Sequence, residues 1–230
     1  MVSPHILRTL GNMITPTVKA VLFDLDGTLI DSEFFYYSNW APILADQFQL
    51  EITFEDWIKD FAGHTLVRNV HFLKERFGIE TTEEFMWKET RSNYAKSDMT
   101  TIRLMPHAKE TLAYLKERGI RIALVTSSYL TTVNTVLGHH QLLDYFEFFV
   151  TRELVQNPKP NAEPYVLATE KIGLPKEEII AIEDTITGFT AATAAGLTCV
   201  AITRHVTEKD RLKEASYLID DLSNLAKIIG

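Results

Sequence analysis

The chain has 230 residues, enough for one large domain or two small ones with a sizeable core. Its hydrophobic content of 46% and charged content of 23% fit a soluble globular protein, and a net charge of −8 without a basic run argues against a nucleic-acid surface. The single cysteine, Cys199, excludes an intrachain disulfide framework and a cysteine-rich zinc site, and no apolar run reaches the ~20 residues that span a bilayer. The acidity fits a cytoplasmic protein.

Residues 1–17 hold Pro4, Arg8 and Gly11, which interrupt any signal-peptide core. They read as a flexible tail, with Met13 competing with Met1 as the start. The apolar run at 18–23 predicts a buried strand. Four helical patterns follow, at 32–48, 54–62, 65–77 and 82–97, with no strand signal between them. This stretch, 32–102, holds Trp40, Trp57 and Trp87, and these aromatics are expected inside a small helical bundle. From Leu104 the pattern changes. A helix after Pro106, with the stripe Ala108, Leu112 and Leu115, ends at Gly119. Strands at 120–125, 147–150, 178–183 and 198–203 alternate with helices, and Tyr217-Leu218-Ile219 reads as an edge strand. Strands alternating with helices imply a doubly wound, Rossmann-like parallel sheet. The expected architecture is therefore an α/β core, 18–31 with 103–230, interrupted after its first strand by a helical domain, 32–102.

Four polar signals follow four of the apolar runs. They are Asp24 and Asp26, Thr126 with Ser127 and Ser128, Lys159, and Glu183 with Asp184. In an open parallel sheet, ligands bind beyond the carboxyl ends of the strands. If the first strand stays extended, Asp24 and Asp26 point the same way, and a cation or a shared proton relieves their repulsion. Glu183 and Asp184 add two carboxylates of the kind magnesium takes. Each signal also has a plainer reading: an acidic turn, a helix cap at Asp184 or Thr185, another at Thr126, a solvated Lys159. Gly188–Gly196 is a small-residue helix read as packing. Cys199, in an apolar strand, reads as structural. No Walker phosphate loop, G-x-G-x-x-G or G-x-S-x-G is present, and the histidines lack metal-ligand spacing.

The blocks Asp24–Glu33 (DLDGTLIDSE), Asn157–Pro164 (NPKPNAEP) and Glu183–Gly196 (EDTITGFTAATAAG) resemble the motifs of the haloacid dehalogenase-like superfamily. The resemblance runs from Val18 to about Leu225 and is closest to the branch of β-phosphoglucomutase and small phosphosugar phosphatases, whose helical cap is inserted between the first two motifs. It implies that Asp24 is the nucleophile, forming an aspartyl-phosphate, and that Asp26 is the acid and then the base. Thr126, Ser127 and Lys159 would hold the phosphoryl oxygens. Asp24, Glu183 and Asp184, with the backbone carbonyl of Asp26, would hold magnesium. His64, Arg68 and Tyr36 are candidate substrate contacts.

Dehalogenases of the superfamily lack the second aspartate, so Asp26 points to phosphate chemistry. Relative to β-phosphoglucomutases, Thr28 stands where a valine is usual, Tyr36 where a histidine is, and Tyr129-Leu130 where a basic residue and asparagine are. The expected activity is hydrolysis of a small phosphorylated metabolite, a sugar phosphate above all, by a monomer. A phosphosugar mutase and a non-catalytic phospho-ligand binder are the alternatives. Hinges for cap opening are expected near Ile30–Ser32 and Thr101–Leu104.

Overall fold

The computed structural model describes residues 17–203, 212 and 215–229. Apart from Thr17, the expected tail, with Met1 and Met13, lies outside them. The chain divides into two compact units, a helical one of Ser32–Ile102 and one built from the chain on either side of it.

The second unit is a six-stranded sheet of β1 (Ala20–Phe23), β4 (Arg121–Val125), β5 (Phe149–Val150), β6 (Ile179–Glu183), β7 (Thr198–Ile202) and β8 (Tyr217–Ile219). Its order is β5-β4-β1-β6-β7-β8 and every pairing is parallel. Two short strands absent from the sequence expectation, β2 (Ile30–Asp31) and β3 (Arg103–Leu104), pair antiparallel where the chain leaves this unit and re-enters it.

β1, β4, β6 and β7 are buried on both faces, which explains continuous apolar runs instead of alternation. On one face Ala20, Leu22, Ala123, Ala181 and Cys199 meet α7 (Glu163–Ile172) and α8 (Ile186–Ala194), through Tyr165, Ala168, Ala191 and Ala192. The alternate residues Val21, Phe23, Ile122, Leu124, Ile180 and Ile182 point the other way and are buried too. α5 (Ala108–Glu117) and α6 (Leu130–His139) complete the crossovers. β1 lies between β4 and β6, so the chain runs outward from it in both directions. That is the topological switch point of an open α/β sheet, where a crevice forms at the carboxyl ends. The Rossmann-like α/β core is as expected.

The helical unit holds α1 (Glu33–Phe48), α2 (Phe54–Asp60), α3 (Leu66–Phe77) and α4 (Glu83–Tyr94). Thr53, Thr65 and Thr82 cap the last three through their side-chain oxygens. Trp40, Ile43, Leu44, Trp57, Phe61, Leu73 and Met86 form its core. Trp87 departs from the expectation of an interior aromatic. Its neighbour Met86 takes the inward position on α4, which leaves Trp87 half-exposed beneath the Arg91 guanidinium. Among the described residues no helix is long and apolar enough to cross a membrane.

Candidate active site

The last ladder bond on this side of β1 runs from the Asp24 N–H to the Ile182 carbonyl (3.0 Å). Asp24 is thereby held at the strand end, between β4 and β6. Beyond it the chain turns: the N–H groups of Leu29 and Ile30 both donate to the Leu25 carbonyl, and Gly27 adopts φ 79°. The strand ends at Phe23, so the alternation that would aim Asp24 and Asp26 alike does not extend to Asp26. Its carboxylate is placed by this loop, and its Oδ2 accepts a hydrogen bond from the Ser128 hydroxyl (2.6 Å).

Lys159 reaches the same strand ends from the loop after β5. Its ammonium donates to Asp24 Oδ1 (2.5 Å), Glu183 Oε1 (2.6 Å) and the Val125 carbonyl (2.7 Å). All three donors of the ammonium are thus engaged within the protein. The loop is fixed by Glu163, whose carboxylate accepts from the N–H groups of Gln156 and Asn157 and from the Asn157 amide. Tyr165, fully buried on α7, donates to Glu183 Oε1 (2.5 Å) and places its ring 5.2 Å from Lys159 Nζ.

Two glycines make room for the acidic pair after β6. A Cβ at Gly27 would lie 1.9 Å from Asp184 Oδ2, and one at Gly188 would lie 1.8 Å from Glu183 Oε2. The first lets Asp184 approach the turn that follows Asp24. The second lets Glu183 pack against the first turn of α8, whose N-cap Thr185 accepts from the Gly188 N–H. Asp24, Glu183 and Asp184 each then present an oxygen within 4.8 Å of the others. Glu183 is fully buried, and its Oε2 has no hydrogen-bond partner.

The electrostatics follow. One cation, Lys159, sits between two buried carboxylates, with Asp26 and Asp184 close by. Burial raises the Asp24 carboxyl; Lys159 offsets part of this, Glu183 and Asp26 add to it, and it is pushed up to about 8. Burial works against the Lys159 ammonium, but Asp24 and Glu183 outweigh it and hold the lysine protonated. The excess negative charge and the unpartnered Glu183 oxygen fit a hard divalent cation that takes oxygen ligands.

Thr126 is buried at the end of β4, its N–H on the Val150 carbonyl and its hydroxyl accepting from the Ser128 N–H (2.9 Å). Ser127 is exposed next to it. Asp24, Asp26, Thr126, Lys159, Glu183 and Asp184 therefore all lie in the α/β unit, at the carboxyl ends of β1, β4 and β6 or in the loop after β5. The other three candidates lie in the helical unit. Arg68 donates to the Asp60 carbonyl and the Asn69 side chain and covers the Phe72 ring. Tyr36 packs against Phe35 and Tyr94. His64 is partly buried just before α3. The Tyr165 hydroxyl and the space at Gly188 escape sequence reasoning, since an apolar helix stripe and a small-residue helix look the same whether or not they abut a carboxylate.

Comparison with known proteins gives the family of the chain. The chain is 28% identical over 180 residues to the phosphorylated carbohydrates phosphatase of Thermotoga maritima, covering 78% of this chain and 82% of the relative. It is 29% identical over 211 residues to the validoxylamine A 7'-phosphate phosphatase of Streptomyces hygroscopicus subsp. limoneus, covering 90% and 95%. A solved structure from Bacteroides fragilis, assigned to the haloacid dehalogenase-like hydrolases, superposes with a TM-score of 0.79 at 27% identity, over 90% of this chain and 99% of that one. CbbY from Rhodobacter sphaeroides, solved with phosphate, shares the fold at a TM-score of 0.73 and 23% identity, over 92% and 99%. The haloacid dehalogenase-like hydrolase family itself matches residues 21–202, and the chain belongs to it.

Proposed function

We propose that the protein is a magnesium-dependent phosphatase that hydrolyses a small phosphorylated metabolite, a sugar phosphate above all, through an aspartyl-phosphate. The observation that carries this is the placement of Asp24. It is a buried carboxylate at the switch point of the sheet, in contact with Lys159 and within 4.8 Å of Glu183 and Asp184. Two phosphatase relatives, one named for phosphorylated carbohydrates and one for validoxylamine A 7'-phosphate, support a small phosphorylated substrate.

Asp24, Glu183 and Asp184, with the Asp26 carbonyl, would hold the magnesium. When bound it supplies positive charge that keeps Asp24 ionised and reduces its repulsion of a phosphate dianion. In the first step an Asp24 oxygen attacks phosphorus and the bond to the leaving oxygen breaks, while that oxygen takes a proton from Asp26. In the second, water gives a proton to Asp26 and attacks phosphorus. The bond to Asp24 breaks, and phosphate leaves. Lys159 exchanges its bond to Asp24 for one to a phosphoryl oxygen, and Thr126 and Ser127 donate to the others; these charge-assisted bonds stabilise charge spread over the equatorial oxygens.

Hydrolysis in place of transfer is supported by Thr28, Tyr36, Tyr129 and Leu130, all departures from the mutase pattern. The test is phosphate release from p-nitrophenyl phosphate and acetyl phosphate with magnesium or with EDTA, for the natural protein and Asp24→Asn. Magnesium-dependent release lost in Asp24→Asn is expected. Activity that survives the substitution would overturn the assignment of the nucleophile. Conversion of β-glucose 1-phosphate into glucose 6-phosphate without free phosphate would indicate the mutase.

A further inference from the structure

Asp26 lies past the end of β1, in a loop, and is only partly buried. Its backbone bridges to Ile30, and its side chain is placed by contacts of its own. A group that must deliver a proton to one oxygen needs that oxygen within hydrogen-bond reach, and about 1 Å of misplacement costs on the order of a hundredfold in rate. Something has to hold this carboxylate.

We infer that Ser128 is a positioning residue for Asp26. Its hydroxyl donates to Asp26 Oδ2 at 2.6 Å, across 102 residues of sequence. Ser128 is itself held on both sides. Its N–H donates to the Thr126 hydroxyl (2.9 Å), and its carbonyl accepts from the Arg152 N–H (3.0 Å). The next turn is pinned as well, by the Leu130 N–H on Glu153 Oε1 (2.9 Å). The hydroxyl therefore projects from a backbone tied both to β4 through Thr126 and to the segment after β5. It fixes the orientation of the Asp26 carboxylate relative to the strand ends that carry Asp24 and Lys159. Ser128 touches neither the phosphoryl group nor the leaving group in this scheme; it acts through Asp26. The inference rests on the phosphatase reading above, in which Asp26 protonates the leaving oxygen.

The consequence is a dependence on the leaving group. Phenolate is basic and leaves only as a proton arrives, whereas p-nitrophenolate leaves with little help. The two esters have nearly the same shape, and kcat/KM reports the steps up to release of the alcohol, before the aspartyl-phosphate is hydrolysed. The ratio of the two kcat/KM values within one preparation does not depend on how much of the protein is folded. In Ser128→Ala, kcat/KM for phenyl phosphate should fall about ten- to a hundredfold, and that for p-nitrophenyl phosphate by less than about threefold. Ser128→Thr, which keeps a hydroxyl, should restore most of the loss. Equal losses on both esters, no loss on either, or a threonine variant as impaired as the alanine one would overturn the role of Ser128 while leaving the phosphatase reading intact. A natural protein inactive on both esters with magnesium would remove that reading and this inference with it.

Discussion

Replacing a helical glycine by alanine ordinarily stabilises a protein by about 0.5–1 kcal/mol, because glycine gives up more backbone freedom on folding. Gly188, in the first turn of α8, should show the opposite sign. The new Cβ would sit 1.8 Å from Glu183 Oε2 and 2.0 Å from its Cδ, where real contacts keep at least 3.0 Å, so the carboxylate must retreat by roughly the difference. Glu183 is fully buried, and its Oε1 holds both Lys159 and Tyr165. A retreat of more than about 1 Å breaks at least one of these charged hydrogen bonds, each contributing about 1.5–3 kcal/mol. Net of the helix gain, the loss of one such bond should leave Gly188→Ala destabilised by about 0.5–2.5 kcal/mol. Gly138→Ala in α6 is the matched control, since its Cβ would meet only Leu143 Cδ1, at 3.5 Å, and it should be neutral or stabilised by up to about 1 kcal/mol. Urea denaturation of the two variants beside the natural protein measures both. A Gly188→Ala protein as stable as its control would refute the packing of Glu183 against this turn.

Three more outcomes follow from the same contacts. Tyr165→Phe removes one donor from Glu183 Oε1 without changing volume, and urea denaturation should show a loss of about 1.5–3 kcal/mol. Magnesium at about a hundred times its dissociation constant should stabilise the protein by about 2.7 kcal/mol, seen as a rise in Tm that EDTA reverses and that Asp184→Asn abolishes. Glu147 is held below the usual carboxylate range by its hydrogen bonds from Arg121. Because its folded value is depressed, its contribution is fully present above the unfolded value and disappears as pH falls through the folded one. Glu147→Gln should therefore cost stability at neutral pH, by less than about 1 kcal/mol at this exposed pair, and cost nothing at the acid end of the same titration.

The sheet was readable from the sequence because strands buried on both faces are written as unbroken apolar runs, as in Ile179–Ile182. The starts of α2, α3 and α4 are readable because Thr53, Thr65 and Thr82 stand immediately before them. Strand ends in such a sheet gather in one crevice, so the sequence alone groups Asp24, Thr126, Glu183 and Asp184. What was not readable depends on where side chains meet. The two-residue strands β2 and β3 are too short to carry a period. The turn at Gly27 breaks the alternation on which the direction of Asp26 was argued. Trp87 and Trp57 are equally apolar on paper, and only the rotation of α4 turns the first outward. Nothing in the sequence distinguishes a lysine with donors to spare from Lys159, whose three are already taken by Asp24, Glu183 and Val125.

The pairing of Ile30–Asp31 with Arg103–Leu104, reinforced by the Met105 N–H on the Leu29 carbonyl, sets the departing and returning chain side by side. Such a doorway demands nothing of whatever is hung from it except two ends a strand's width apart. Joining residue 31 to residue 103 by a tight reverse turn would preserve that ladder, and grafting a foreign module there would strain neither neighbour of β1. The two units are thus separable at this ladder: a variant lacking Ser32–Ile102 would keep both ends of the insertion paired.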